Sequence, residues 1–427
     1  MNQFFVRRGE DTNSGPGHIL ESGTNLFTGE KDFLEAFGTL TSMERDLLLI
    51  ASAIFAADRA SKRGEYEDIC RNFEINIPVV NVIPFTAVIR EIERQLRLLT
   101  NDSWSINLRS QFGQQEGKIA HGKKGGNTLL FSGGLDSLAA AIQYGKSREN
   151  LQLVSHITRN QVTNICQRAL AKILLDAGYR VNHKQFFVSS GDGGPTNLLH
   201  SEENSQRTRS FIFLVLGALV ARRTGHYDIL FIAENGQLAV HLPLTQGRIG
   251  ALSTHTAHPD FIIGMQNLLS SLLNVPISIS NPYVHLTKKE VVEIVVRYLP
   301  SAIPITNSCW RNARLSGSVT HCGACVPCIL RKIAIESNTE DKTTYARDVW
   351  QENIRGLPPM DEARRNIIDL IEFAHRFETQ SNEELMNEFP ELYSENINAA
   401  EVIGMYRRFA MEWKEVSTQY ENLAGLL

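Results

Sequence analysis

The sequence predicts an α/β fold: a parallel sheet covered by helices on both faces, with an N-terminal α+β extension and a helical C-terminal extension. Three observations predict it. Between Thr128 and Ala233 short apolar runs of strand length alternate with helix-length segments, the rhythm of a sheet wound by crossover helices. Within that stretch, one apolar run passes into a helix through the glycine-rich turn Ser132–Ser137. After Ile335 the apolar spacing becomes mostly helical.

Taken in order, residues 1–40 are rich in Gly, Thr and Asn with scattered Phe, which suggests irregular chain or short strands. Met43–Arg59 carries apolar residues at helical spacing, Ile75–Ile83 alternates like a strand, and Thr86–Leu99 reads as an amphipathic helix. The polar, Gly- and Lys-rich stretch 111–127 reads as a linker. Strands are then expected at Thr128–Phe131, Leu151–Ile157, Phe186–Val188 and Asp228–Ala233, and helices at Leu135–Tyr144, Val162–Ala177 and Arg207–Arg223. The Gly/Ser/Asn-rich stretch 189–205 is too long for an ordinary connection and suggests a functional lid or a disordered segment. Glu362–Phe377 and Ala399–Trp413 are amphipathic helices of a tail suited to packing or partner contact. The expected division is 1–120, 121–335 and 336–427.

Composition bounds the function. The chain has 427 residues, 42% hydrophobic and 21% charged, as in ordinary globular proteins of two or three domains. No long apolar stretch follows the basic pair Arg7-Arg8, and Phe211–Ala221 is too short to span a bilayer, so a cytoplasmic protein is expected. The net charge is −4, and residues 351–427 hold 15 acidic against 7 basic residues. An acidic tail on a nearly neutral body argues against direct nucleic-acid binding, which calls for a clustered basic face.

The strongest local signal is Phe131-Ser132-Gly133-Gly134-Leu135-Asp136-Ser137. Two glycines let backbone N–H groups approach an anion, and the helix that follows adds its unpaired N–H groups and positive dipole end. The Ser132 and Ser137 hydroxyls can donate to phosphate, whereas Asp136 would repel it unless a cation intervenes, which suggests Mg²⁺. Neither of the commoner nucleotide signatures, G-x-x-x-x-G-K-[ST] or G-x-G-x-x-G, occurs. The segment resembles the SGGxDS signature of PP-loop ATP pyrophosphatases, of the adenine nucleotide alpha hydrolase type. The resemblance implies that residues 131–137 bind ATP, that Ser132 and Asp136 serve catalysis, and that ATP is cleaved between its α and β phosphates.

Four of the six cysteines fall within twenty residues, Cys309, Cys322, Cys325 and Cys328. Four thiolates suit a closed tetrahedral Zn²⁺ site of structural kind, with Gly323 allowing a tight turn between ligands, although an iron–sulfur cluster also takes four cysteines. Arg331 and Lys332 are placed to offset the negative charge of such a centre. Cys70 and Cys166 read as buried small apolar residues. The loop followed by Ser308-Cys309-Trp310, Cys322-Gly323-Ala324-Cys325-Val326-Pro327-Cys328 and Arg331 resembles the 7-cyano-7-deazaguanine synthases. Weaker matches run in the same order: Arg159-Asn160-Gln161, Arg209-Ser210, His258-Pro259-Asp260-Phe261, and Asn281-Pro282 with Lys288-Lys289-Glu290. The resemblance implies ATP-dependent adenylation of 7-carboxy-7-deazaguanine, conversion to an amide and dehydration to a nitrile, with structural zinc on the cysteines.

It covers about residues 127–335, and the chain exceeds a free-standing synthase at both ends. The stretch Glu234-Asn235-Gly236, Pro243-Leu244, Arg248 and Ser253–Thr256 is similar to enlarged synthase-like proteins of bacterial antiviral operons, the Qat and CBASS systems, in which a protein amine is a possible acceptor. A 7-deazaguanine-type small molecule and other proteins of the same operon are the expected partners, and a homodimer is compatible with the sequence. Glu234 and Asn235, at a strand's carboxyl end, are candidates for reading a deazaguanine edge, and Arg209 and Arg248 for a carboxylate or phosphate. His255 and His258 read as surface loop residues, and Lys288-Lys289 as a solvated helix start. The rival readings are a tRNA-modifying PP-loop enzyme of the thiolase type and a non-catalytic nucleotide- or base-binding subunit.

Overall fold

A computed structural model describes residues 1–64, 70–113, 116–118, 126–146, 150–157, 161–191, 203, 207–225, 230–245, 255–312, 315 and 319–424. The N-terminal segment contains β1 (Asn2–Arg7), β2 (His18–Glu21), β3 (Leu26–Thr28), α1 (Glu30–Phe37), α2 (Ser42–Ala60), β4 (Asn72–Val79), α3 (Val82–Thr100) and β5 (Ser103–Ser110). Next come β6 (Thr128–Leu130), α4 (Leu135–Tyr144), β7 (Leu151–Ile157), α5 (Gln161–Asp176), β8 (Val181–Ser190), α6 (Arg209–Thr224) and β9 (Leu230–Phe231). The short α7 (Gly236–Ala239) leads to α8 (Pro259–Leu273), β10 (Ile279–Ser280), α9 (Lys288–Tyr298) and α10 (Val326–Glu336). The tail holds α11 (Glu362–Thr379), α12 (Asn382–Glu388), α13 (Ala399–Ser417) and α14 (Glu421–Ala424).

Two sheets organise these elements. The larger has the order β10-β9-β6-β7-β8-β3, parallel except where β3 pairs antiparallel with β8 (Leu26 opposite Ser190). The smaller, β2-β1-β4-β5, is parallel throughout. Its strand β5 goes beyond the sequence expectation: exposed residues alternate there with Trp104 and Ile106, the mark of a half-buried strand. Helix α3 bridges β4 to β5 as a crossover helix, which parallel neighbours require. One apolar core runs from Phe4, Ile54 and Phe73 to Val154, Phe186 and Leu216, so α2 of the first segment lies against α6 and the large sheet.

In the large sheet the chain leaves β6 through α4 to β7 on one side and returns later to β9 on the other. Such a switch of direction opens a crevice at the carboxyl ends of the two diverging strands, where open α/β sheets bind ligands. The turn after β6 and the Glu234-Asn235 pair after β9 flank that crevice. Much of the expected loop 189–205 lies outside the described residues, although β8 itself continues to Ser190. Cys166 is buried as expected, but Cys70 is exposed beside the start of β4. No helix among the described residues is long and apolar enough to cross a membrane.

Candidate active site and metal centre

Strand β6 is buried at all three residues, which fixes where the chain emerges at Phe131. Phe131 N–H donates to the Val154 carbonyl at 2.7 Å, and its carbonyl accepts from the Ser155 hydroxyl at 2.6 Å. The chain then turns at Gly133, whose φ of 84° is a left-handed conformation that side chains resist. A Cβ at Gly133 would lie 3.2 Å from Gln167 Cγ, so the turn is also closely walled. The Gly133 carbonyl accepts from Asn307 N–H at 2.9 Å, tying the loop to the chain just before Cys309. The Ser132 and Ser137 hydroxyls stand 3.2 Å apart at the mouth of α4. Gly134 precedes α4 with no side-chain cap, and the first-turn N–H groups of a helix have no partner within it. Two hydroxyls thus lie beside an uncapped helix start, the kind of donor set that can hold an anion.

Asp136 in the first turn of α4 is only 8% exposed. One carboxylate oxygen accepts from the Lys288 ammonium at 2.6 Å; the other accepts from the Asn235 side-chain amide at 2.8 Å and its backbone N–H at 3.2 Å. Lys288 was expected to be solvated and is instead buried in this ion pair. The cause is its place as first residue of α9, whose Thr287–Glu290 capping box directs the chain inward across α4. The cation that balances Asp136 is therefore supplied by the protein itself, which removes the sequence argument that its charge alone calls for Mg²⁺. The signal that could have found Lys288 was its position in the Pro…Lys-x-Glu match.

The cysteine centre is built locally. Cys309, Cys322, Cys325 and Cys328 place their sulfurs within 4.8 Å of one another, with Cys322 and Cys328 at 3.9 Å. A tetrahedral ion about 2.3 Å from each sulfur sets them roughly 3.8 Å apart, so the four fit one zinc ion, whereas a multi-iron cluster holds its thiolates farther apart. Backbone N–H groups of Arg311 and Cys322 donate to the Cys309 sulfur at 3.2 and 3.4 Å, and Cys325 N–H to that of Cys322 at 3.4 Å, the support thiolates need. Gly323 turns with φ 82°, and a Cβ there would meet the Arg347 carbonyl at 1.9 Å. The hydrogen bonds of Cys309, Cys325 and Cys328 hold the Cys322 thiol far below its usual range, while those of Cys309 and Cys322 push Cys325 and Cys328 up. Bound zinc would be closed by four thiolates and serve structure.

The family model of the queuosine biosynthesis protein QueC matches residues 127–339, from β6 through the loop, Lys288 and all four cysteines. The match supports a QueC-like PP-loop domain over that span, just under half of the chain. No curated protein matches the chain. A QueC-like domain carries ATP-dependent PP-loop chemistry.

The remaining candidates of the QueC-like site sit as follows. Asn235 is fully buried and its amide is engaged by Asp136. Glu234 is held by Asn281, which donates to the Glu234 carbonyl at 2.7 Å, and its carboxylate accepts from Thr256 at 3.4 Å. Arg209 opens α6, where burial and then Arg59 of α2 lower its pKa. Arg248, Arg159 and Asn160 lie outside the described residues. His258, expected at the surface, is buried and caps α8 through its ring nitrogen, which accepts from Asp260 N–H at 3.3 Å. Burial and the neighbouring His255 lower its pKa to about 4, so it is neutral at physiological pH. Arg331 does not sit free to face the sulfurs: it donates to Thr306 and Ser308 hydroxyls at 2.8 and 3.3 Å and to the Ile303 carbonyl at 2.7 Å. Lys332 pairs with Glu336 at 3.2 Å.

Proposed function

We propose that this chain adenylates a 7-carboxy-7-deazaguanine-like carboxylate, or the derived amide, at the expense of ATP. A substrate oxygen attacks the α-phosphorus, the bond between α- and β-phosphates breaks, and pyrophosphate leaves into the turn at Ser132–Ser137. Nitrogen attack on the adenylated carbonyl expels AMP and forms an amide. Adenylation of that amide oxygen by a second ATP, which releases a second pyrophosphate, followed by loss of AMP and of both nitrogen-bound protons, gives a nitrile. Where the attacking nitrogen belongs to a protein, such as a neighbouring operon product in anti-phage defence, the product is a conjugate.

The observation that carries this reading is the convergence of the Ser132 and Ser137 hydroxyls on the α4 N-terminus, at the sheet's switch point, beside the buried Asp136–Lys288 pair. Stabilisation of negative charge by preset donors is the main service such a site can give, and ATP brings its own magnesium for the rest. On this reading Ser132 and Asp136 shape the diphosphate seat, Lys288 balances the Asp136 charge, and Glu234, after β9, is the candidate for reading the base.

Mass spectrometry tests it: the protein and its operon neighbours are incubated with ATP and 7-carboxy-7-deazaguanine. A nitrile or amide base supports synthesis, and a mass increment on a neighbour supports conjugation. Binding of ATP without AMP release would instead favour the non-catalytic subunit, and a tRNA gel shift the thiolase-type reading.

A further inference from the structure

Helix α13 lies wholly outside residues 127–339, yet two of its side chains, Glu412 and Arg408, reach the capping box of α9, where Lys288 begins, and a third, Tyr406, reaches it through Gln237 of α7. The Glu412 carboxylate accepts the Thr287 hydroxyl proton at 2.7 Å. Because that hydroxyl has a single proton, fixing it on Glu412 turns the oxygen lone pairs to the Glu290 N–H, which donates at 3.2 Å. Glu290 in return accepts Thr287 N–H at 2.7 Å and the Arg408 guanidinium at 2.8 Å. Tyr406 donates to the Gln237 carbonyl at 3.1 Å, and the Gln237 side chain accepts Lys288 N–H at 2.6 Å. From there the path ends at the 2.6 Å pair of Lys288 with Asp136.

We propose that Glu412, assisted by Tyr406 and Arg408, is a positioning residue: α13 clamps the capping box of α9 so that the Lys288 ammonium stays on the nucleotide loop. The C-terminal extension is on this account a part of the active site's frame, in place of an appended module. A charge-balancing cation misplaced by an ångström loses much of its electrostatic effect, which is why such a frame matters. Around Glu412 the charged groups are Glu290 and Lys289 of α9 and Arg408 of its own helix; Lys289 is itself paired with Glu415 at 3.4 Å. The inference rests on the reading of the Ser132–Ser137 turn as the ATP site.

The test compares full-length wild type, Glu412→Ala, Glu412→Gln and Lys288→Ala by two readouts: amide hydrogen exchange across 287–291, and kcat and KM for ATP-dependent pyrophosphate release. Glu412→Ala should speed exchange in the first turn of α9 about tenfold and lower kcat about tenfold, with KM for ATP changed less. Glu412→Gln, whose amide oxygen still accepts the Thr287 hydroxyl, should restore both. Native exchange in Glu412→Ala, or faster exchange with kcat within about twofold of wild type, overturns the proposal. Should wild type release no pyrophosphate, the proposed function fails, and the exchange rates of the Ala and Gln variants alone decide whether α13 clamps α9.

Discussion

The cysteine centre and the Asp136 centre both bury groups that water would otherwise hold, but they do so in opposite ways. Around the sulfurs, four like ligands from one twenty-residue stretch gather about a single position. Around Asp136, unlike groups from α4, the turn after β9 and α9 share one charge pair, already balanced. The first arrangement needs an ion from outside to be settled. The second is settled by the chain itself. A centre of the first kind fails as a whole when one ligand goes, whereas one of the second kind fails in proportion to the charge left unpaired.

That contrast can be broken most forcefully at the cysteines. Chelation, or Cys325→Ser, should collapse the segment from Cys309 to α10 and lower the thermal midpoint by about 10 °C or more, since zinc affinity in such sites is largely folding energy. Calorimetry with metal analysis checks this, and an unchanged midpoint after metal loss would remove the centre's structural role. Next in size, Lys288→Ala leaves Asp136 charged and buried and should cost about 3–5 kcal/mol in denaturant unfolding. The double variant Asp136→Asn with Lys288→Met should recover most of that loss, because no bare charge remains.

A smaller effect comes from pH. Burial pushes the Glu412 carboxyl up to about 7, with the Thr287 hydroxyl pulling the other way. A carboxyl raised on folding stabilises fully below its unfolded pKa, and that contribution is lost as pH rises through the folded value. Wild type should therefore lose about 2–3 kcal/mol between pH 4.5 and 8 that Glu412→Gln does not lose. Parallel pH–stability curves for the two proteins would contradict the buried setting of Glu412. Smallest, Gly133→Ala forces a side chain into a left-handed turn and against Gln167 and should cost about 1–2 kcal/mol, with a larger loss of ATP affinity seen by titration.

How much of this was legible beforehand follows from the distance along the chain over which each feature is assembled. The turn at Ser132–Ser137 and the four cysteines are local, so spacing alone announced them, and the elements Leu135–Tyr144 and Leu151–Ile157 matched residue for residue. Lys288 reaches Asp136 across a separation of 152 residues, and a lysine opening an amphipathic helix gives no hint of burial until the tertiary course of α9 is known. Asn235 was noticed for its strand-end position, but its tie to Asp136 is equally non-local. β5 was missed because its exposed serines and asparagine mask an alternation carried only by Trp104 and Ile106. His258 was misjudged because a loop histidine that caps a helix can be buried by the helix it starts.

The central claim, that a diphosphate nests in the turn beginning at Ser132, is tested most directly by the nucleotide products. With ATP and a carboxylated deazaguanine, chromatography should show AMP and pyrophosphate in equal amounts, abolished by Asp136→Ala. ADP and inorganic phosphate in their place would put the cleaved bond elsewhere and contradict the account.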